Sequence, residues 1–326
     1  MDSTEITHAL RDLPIVVTGG AGYVGSAVAH LLTRLGAKVT VVDTLVRGHL
    51  WAVGSLPIET VDIRDRAGLV EVFRARGTRA VCHLAALATI PESFADPDGY
   101  MDVNHRGTTE LLAAMREAKV PVLAFASTCA IYATPADSTA ALREGGVENP
   151  LSPYATGKQL AERAIREADA RGEVHASAFR FFNAAGADRV AGVGEVHEPE
   201  THAIPRLVRW AMGQGSFAVF GTDYPTRDGT CVRDYVHNED LAWAHARALA
   251  ALTTGNDRAR SVFNLGSGVG TSVRELVERT CGLMGVTARP TEGPRRDGDA
   301  PTLLADSAHA REVLGWIPQH DLDGIL

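Results

Sequence analysis

TGGAGYVG, residues 18–25, continues the β-branched run IVVTG (15–19) and opens a helical stretch that lasts to about Leu35, where Gly36 ends it. A strand that turns over glycines into a helix is the first unit of a parallel α/β fold. Gly19, Gly22 and Gly25 permit the tight turn, close approach of backbone to a diphosphate, and close packing of helix on strand. Tyr23 and Val24, between those glycines, are counted with them as cofactor-binding positions. Asp43 strengthens the reading, because it closes the second strand at about the twenty-residue spacing expected of an acid that holds an adenosine ribose. A carboxylate there accepts both ribose hydroxyls and repels a 2′-phosphate, which favours NAD over NADP, with Arg47 close enough to keep NADP open. Asp62, at the end of the third strand, can receive an adenine amino group or serve as a turn residue.

Outward from the glycine turn, short β-branched runs alternate with longer amphipathic ones. KVTVVD (38–43), IETVD (58–62), AVCHLA (80–85), VLAFAS (122–127) and VHASAFRFF (174–182) read as strands with helices between them. The expected fold is α/β: a Rossmann-type doubly wound parallel sheet with a smaller C-terminal α/β lobe. Residues 1–182 form the NAD-binding part on this reading, and 183–326 mainly the other lobe. Within the latter, NEDLAWAHARALAAL (238–252) reads as a helix and VFNLG (262–266) as a strand, so 233–266 is expected to return to the first part.

Bulk properties exclude several function classes. The chain has 326 residues, 45% hydrophobic and 22% charged, the composition of an ordinary globular protein. A net charge of −8 argues against nucleic acid or an anionic membrane as the main partner. Cys82, Cys129, Cys231 and Cys281 are spread without a CxxC pair, which suits free thiols. The polar start MDSTEITHALRD lacks the apolar core of a signal peptide, and the cytoplasm is the expected location.

SPYATGKQLAE (152–162) carries the candidate chemistry. Ser152 can cap a helix, Pro153 suits its first turn, and Leu160, Ala161, Ala164 and Ile165 supply an apolar face. Tyr154 and Lys158 then share one face. A fixed ammonium beside the phenol favours phenolate, so Tyr154 is a candidate general base near neutral pH. The pair alone is equally compatible with an exposed lysine and a half-buried tyrosine.

The chain resembles the extended short-chain dehydrogenase/reductase family, and within it the UDP-glucose (UDP-galactose) 4-epimerases. The matching segments are TGGAGYVGS, Asp43 and DIR (62–64), HLAAL (83–87), NHRGT (104–108), STCAIY (127–132), SPYATGK (152–158), RFFNAAGA (180–187), FGTDYPTRDGTCVRDYVHNEDLA (220–242), NLGSGVGTSV (264–273) and PRRDGDAP (294–301). They follow the family's order over nearly the whole chain, and the block from Phe220 to Ala242 is the most specific. The resemblance implies a catalytic set of Tyr154, Lys158 and Thr128. Tyr154 would take the proton of the sugar 4-hydroxyl while hydride leaves C4 for NAD, giving a 4-keto sugar that turns over and is reduced on its other face. It implies that Ile63, Leu84, Ala85, Ala86, Asn104, Ser127 and Phe181 line the NAD site. Thr128, Asn183, His202, Arg233, Arg296, Asp299 and Leu303 fall on the UDP-sugar side. It also implies a homodimer packed through helices near 100–118 and 154–171, with Leu111, Leu112 and Met115 as a candidate stripe.

Three positions depart from the family pattern. Ala88 stands where many epimerases carry lysine, Phe181 where tyrosine is common, and Leu303 where a bulky tyrosine goes with plain hexoses and smaller residues with N-acetyl hexosamines. Epimerisation of UDP-N-acetylglucosamine or another nucleotide sugar is therefore the alternative, in galactose metabolism or in sugar supply for other products. Dehydration is disfavoured, since Cys129 and Ala130 follow Thr128 where an acid pair would be needed. A dinucleotide-binding sensor would be expected to lose Tyr154 or Lys158. GEVHEPETH (194–202) crowds histidines and glutamates, but its Gly and Pro residues argue against a helical ligand face, and no metal is expected there.

Overall fold

The computed structural model describes residues 1–135, 140–296 and 299–326. Asp297 and Gly298 of the PRRDGDAP segment lie outside the described residues.

Six strands appear before residue 182: β1 (Pro14–Thr18), β2 (Lys38–Val42), β3 (Ile58–Glu59), β4 (Ala80–His83), β5 (Val122–Thr128) and β6 (His175–Phe181). Beyond them come β7 (Asn183–Ala185), β8 (Ala218–Phe220), β9 (Val232–His237), β10 (Val262–Leu265), β11 (Gly270–Ser272), β12 (Thr291–Gly293) and β13 (Thr302–Leu303). Seven strands make one sheet in the order β10-β6-β5-β4-β1-β2-β3, with every pairing parallel. The strand order reverses between β1 and β4, the place where such sheets bind ligands at their carboxyl ends. The strand expected over 58–62 ends at Glu59, because Val61 N bonds back to Glu59 O at 3.1 Å and Asp62 folds onto the backbone of Arg64.

Both faces of this sheet are covered, which is why its strands read as continuous apolar runs. Ile15 and Val17 of β1 point to one core, with α2 (Tyr23–Arg34), and Val16 points to the other. That second core is closed by α3 (Arg66–Arg76), α4 (Gly107–Ala118) and α5 (Pro153–Ala170). Leu111 and Met115 of α4 are fully buried in it, so the expected subunit stripe cannot include them; tertiary packing within the chain takes up their apolar surface.

Helix α7 (Asn238–Thr253) shares the first core with α2, and β10 extends the seven-stranded sheet beside β6. Strand β9 instead joins a small sheet, pairing with β11, β13 and β7, while β8 pairs with β12. No helix among the described residues is long and apolar enough to cross a membrane.

Candidate active site

The glycine turn is a backbone cradle. Gly19 has φ +70°, and a Cβ there would lie 2.5 Å from Ala85 N and 2.7 Å from Leu84 C, so the turn rests directly on the segment after β4. A Cβ on Gly25 would come within 2.0 Å of Gly19 O, and only glycine lets α2 start this close to the loop. Gly22 is the N-cap and offers no side chain to the first N–H groups of α2, at Tyr23, Val24 and Gly25. This is a shape that a diphosphate fits. Asp43, at the end of β2, accepts from Ala21 N at 3.0 Å and Leu45 N at 2.8 Å, which fixes its carboxylate beside the turn. The donor set and the cradle thus suit a dinucleotide. Tyr23 Oη donates to Gly186 O at 2.7 Å and ties the turn to the C-terminal part of the chain.

Asp62 is gripped by Arg64, which donates from Nε and from its fork and also reaches Asp102 at 2.7 Å. The Arg64 hydrogen bond holds the Asp62 carboxyl below its usual range. Ile63 is buried, its side chain lying where a Cβ on Gly107 would collide with it. Asn104 is buried and its amide both donates to Leu87 O and accepts from Leu87 N, each at 2.9 Å, so its side chain holds the HLAAL loop in place. Leu84, Ala85 and Ala86 lie in that loop, and Leu84 N donates to Thr18 O at 3.0 Å.

Tyr154, Lys158 and Thr128 converge at the carboxyl end of β5. Ser152 caps α5 through a bond from Ala155 N, 3.2 Å, and sets Tyr154 in the first turn. Tyr154 is half-buried and feels the Thr128 hydroxyl, which favours its ionised form and whose Oγ1 accepts from Ala130 N at 3.1 Å. Lys158 is buried, donates from Nζ to Ala126 O at 2.8 Å, and stands 4.8 Å over the Phe125 ring. The expected lowering of the Tyr154 pKa by Lys158 is not found. Burial pushes Tyr154 up to about 12 against the lowering influence of the Thr128 hydroxyl, and burial pushes Lys158 down to about 7. Desolvation disfavours both charged forms, and here it outweighs their proximity along the helix.

Two buried polar groups escaped the sequence reading. Glu162 lies two turns beyond Tyr154, on the face of α5 that carries Lys158, and accepts from Ser127 Oγ at 2.9 Å and from Arg180 at 2.7 and 3.1 Å. The Ser127 hydroxyl is therefore turned toward Glu162. A signal was available: an arginine inside the apolar strand ASAFRFF requires a buried partner, and i+4 spacing from Lys158 points to Glu162. His83, at the end of β4, is buried between Thr18 Oγ1 at 2.8 Å and Thr108 Oγ1 at 3.0 Å, and burial lowers it to about 3. Because Thr108 donates to Asn104 O at 2.7 Å, His83 is the neutral tautomer with its proton on Nε2.

The small sheet brings the remaining candidates together. Arg233 on β9 faces Leu303 on β13 in register, and Asn183 on β7 faces Tyr235 on β9. Arg233 donates to Ala300 O at 2.8 Å and to Asp299 Oδ1 at 3.4 Å, while Arg296 donates to Asp299 Oδ2 at 3.0 Å. Asp299 thus lies between two guanidinium groups. Asn183 Nδ2 donates to Asp234 O at 3.1 Å. Leu303 packs with Cys129 and Phe182, next to Thr128, and Phe181 pairs with Thr128 across β5 and β6. Asp234, also missed from sequence, is fully buried and accepts from Ser267 N, Ser267 Oγ, Gly268 N and Ala305 N at 2.6–3.0 Å, locking the NLGSG loop against β13.

His202 has Nδ1 2.8 Å from Glu195 Oε1 and 3.0 Å from Glu200 Oε1. Against burial, which lowers it, these two glutamates hold His202 up to about 9. The loop without helical ligand spacing nevertheless folds so that Glu195, His197, Glu200 and His202 meet.

Comparison with known proteins agrees with this arrangement. The NAD dependent epimerase/dehydratase family model matches residues 15–266. The UDP-glucose 4-epimerase of Rhizobium leguminosarum bv. trifolii is 43% identical over 316 residues, 96% of this chain and 94% of that protein. The structure of UDP-glucose 4-epimerase from Brucella ovis in complex with NAD superposes with a TM-score of 0.89 at 40% identity, covering 95% of each chain. That of UDP-glucose 4-epimerase from Stenotrophomonas maltophila, with bound NAD and formylated UDP-arabinopyranose, gives a TM-score of 0.90 at 36% identity over 96% of this chain and 95% of that one. With a glycine cradle, an acid at the end of β2 and a Thr–Tyr–Lys set on one sheet edge, the chain belongs to the NAD-dependent epimerase/dehydratase family.

Proposed function

We propose that the protein interconverts UDP-glucose and UDP-galactose, inverting C4 through a transient 4-keto sugar while NAD stays bound. The observation that carries this reading is the Thr128–Tyr154 hydroxyl pair at the end of β5, on the sheet edge that also holds the glycine cradle. The relatives named above, all UDP-glucose 4-epimerases, support it over nearly their full length.

Gly19, Gly22 and Gly25, with the N–H groups of Tyr23 and Val24, would hold the cofactor diphosphate, Asp43 its ribose, and Asp62 and Ile63 its adenine end. Leu84, Ala85, Ala86 and Phe181 would line the rest; Asn104 and Ser127 shape that wall, since their side chains are bonded to Leu87 and Glu162. Bound NAD supplies the hydride acceptor and donor, and a positive ring that helps a phenol held up at about 12 to lose its proton near neutral pH. Tyr154 Oη takes the proton from the sugar 4-hydroxyl and later returns it, with Thr128 Oγ1 bonded to both oxygens. Lys158, whose Nζ donates to Ala126 O, would also bond the nicotinamide ribose.

Residues 183–326 mainly serve the nucleotide sugar. Arg233 and Arg296 offer guanidinium forks to the diphosphate, Asn183 and His202 Nε2 add donors, and Asp299 accepts from the ribose. Leu303, clamped by Cys129 and Phe182, borders the space beside the sugar's C2 group, and its intermediate size keeps N-acetyl hexosamines as a second reading. The reading includes a homodimer in the cytoplasm.

Product analysis tests the assignment. Purified protein is incubated, with and without NAD, with UDP-galactose or with UDP-N-acetylgalactosamine. Conversion of UDP-galactose is expected; conversion of both opens the acetyl pocket, and conversion of neither after NAD addition sinks the proposal.

A further inference from the structure

We infer that Glu195, His197, Glu200 and His202 form a binding site for a divalent transition-metal ion of the Zn2+ class, a clip that closes the loop between β7 and α6 (Ala203–Ala211).

The donor atoms of these four residues all lie within 4.8 Å of one another. Each histidine faces both carboxylates. His202 Nδ1 is 2.8 Å from Glu195 Oε1 and 3.0 Å from Glu200 Oε1, and His197 Nδ1 is 3.3 Å from Glu195 Oε1 and 3.9 Å from Glu200 Oε2. Four ligands at about 2.0–2.1 Å from a tetrahedral Zn2+ would stand about 3.3 Å apart, and the observed spacings bracket that value.

A plain hydrogen-bonded cluster accounts for only half of this arrangement. It explains His202, whose Nδ1 has two acceptors. It leaves His197 Nδ1 and Glu200 Oε2 buried with no hydrogen-bond partner, although the Glu200 side chain is only 3% exposed and the Glu195 side chain 8%. Buried carboxylate and imidazole atoms aimed at one point, within ion-pair reach but without hydrogen bonds, are costly unless something binds them. A divalent cation neutralises the two carboxylates and uses all four donors.

The donor set selects the ion. Two imidazole nitrogens and two carboxylate oxygens, with no thiolate and no surplus of oxygens, suit Zn2+ over Ca2+ or Mg2+. All four ligands come from eight consecutive residues, so the ion would serve to hold a loop. That loop reaches the other half of the molecule, since the Val196 carbonyl lies 3.2 Å from His49 Nε2, after β2. Sequence spacing alone hid the site, because its ligands meet through a folded-back loop and not along a helix.

Metal binding is read directly, without any turnover assay, so the result does not depend on the proposed activity. Chelator-treated full-length protein is titrated with Zn2+ by calorimetry, and Co2+ is added as a visible-absorption probe of coordination. We expect one ion per chain, a Co2+ spectrum of tetrahedral intensity, a higher Tm with Zn2+, and binding about 100-fold weaker in His197→Ala and in Glu200→Gln. Should one variant fold poorly, by circular dichroism, the other and the wild-type titration still decide. No saturable binding by wild type, or binding that neither variant changes, overturns the site.

Discussion

The cofactor half of the sheet edge offers backbone, whereas the half built by β9 and β13 offers side chains already paired with one another. On the first side, Gly19 and Gly25 approach their neighbours so closely that no Cβ fits, and the first N–H groups of α2 have no side-chain cap. On the second, Arg233, Asp299 and Arg296 form a chain of ion pairs, and on the proposed reading a bound nucleotide would share or replace those bonds. On the proposed reading the first half meets its ligand with close-packed backbone already in place, while the second would exchange partners on binding. This division suits a reaction in which one ligand stays and the other leaves.

Four experiments break or sharpen the contrast. Tyr154→Phe strikes the junction of the halves: turnover should fall about 1,000-fold while both NAD content and UDP affinity persist. Retained activity would remove Tyr154 from the mechanism. Gly25→Ala attacks the backbone half, forcing a Cβ to within 2.0 Å of Gly19 O. Loss of co-purifying NAD and about 3 kcal/mol of stability are expected by ultraviolet spectroscopy and denaturant unfolding.

Lys158 adds a pH dependence. Below pH 7 both folded and unfolded chains carry its proton, and the folded state bears the full cost of a buried ammonium. Between about 7 and the ordinary value of 10.5 only the unfolded chain keeps the proton, so this residue makes stability rise with pH across that window. In NAD-free protein, Lys158→Met should flatten the rise by about 2 kcal/mol between pH 7 and 8.5, measured by urea unfolding at both values. An unchanged slope would mean that Lys158 is not desolvated. The smallest effect belongs to the side-chain half, where Arg233→Lys should weaken UDP binding about tenfold by calorimetry and leave NAD content alone. If NAD were lost as well, the two halves would not be separable.

The same division governs how much of the molecule could be read from its sequence. Strands β1, β2, β4, β5 and β6 and helices α2, α5 and α7 lie close to their expected positions, because each is long enough to carry a periodic apolar pattern. Strands β7, β11, β12 and β13, two or three residues each, carry no period, and they form through tertiary pairing with β8 and β9. Among site residues, glycines and Asp43 were legible because backbone geometry restricts residue type. Roles that depend on partners distant in sequence were not: Asp234 bonds to residues 267, 268 and 305, and Glu162 to Arg180. The direction in which burial pushes the Tyr154 pKa was hidden for a related reason, since one-dimensional spacing reports the neighbour but not the loss of water around it.

The return of α7 and β10 has a consequence for anyone wishing to exchange specificities among such enzymes. The chain leaves the large sheet after β6, comes back for residues 238–265, and leaves again, so no single cut separates the seven-stranded sheet from the smaller ones. A fragment ending at residue 182 would lack the outer strand and would bare the apolar side of α2. On the proposed reading, grafting a foreign sugar pocket would take two inserts, one drawn from 183–237 and one from 266–305, stitched on either side of an untouched helix and strand.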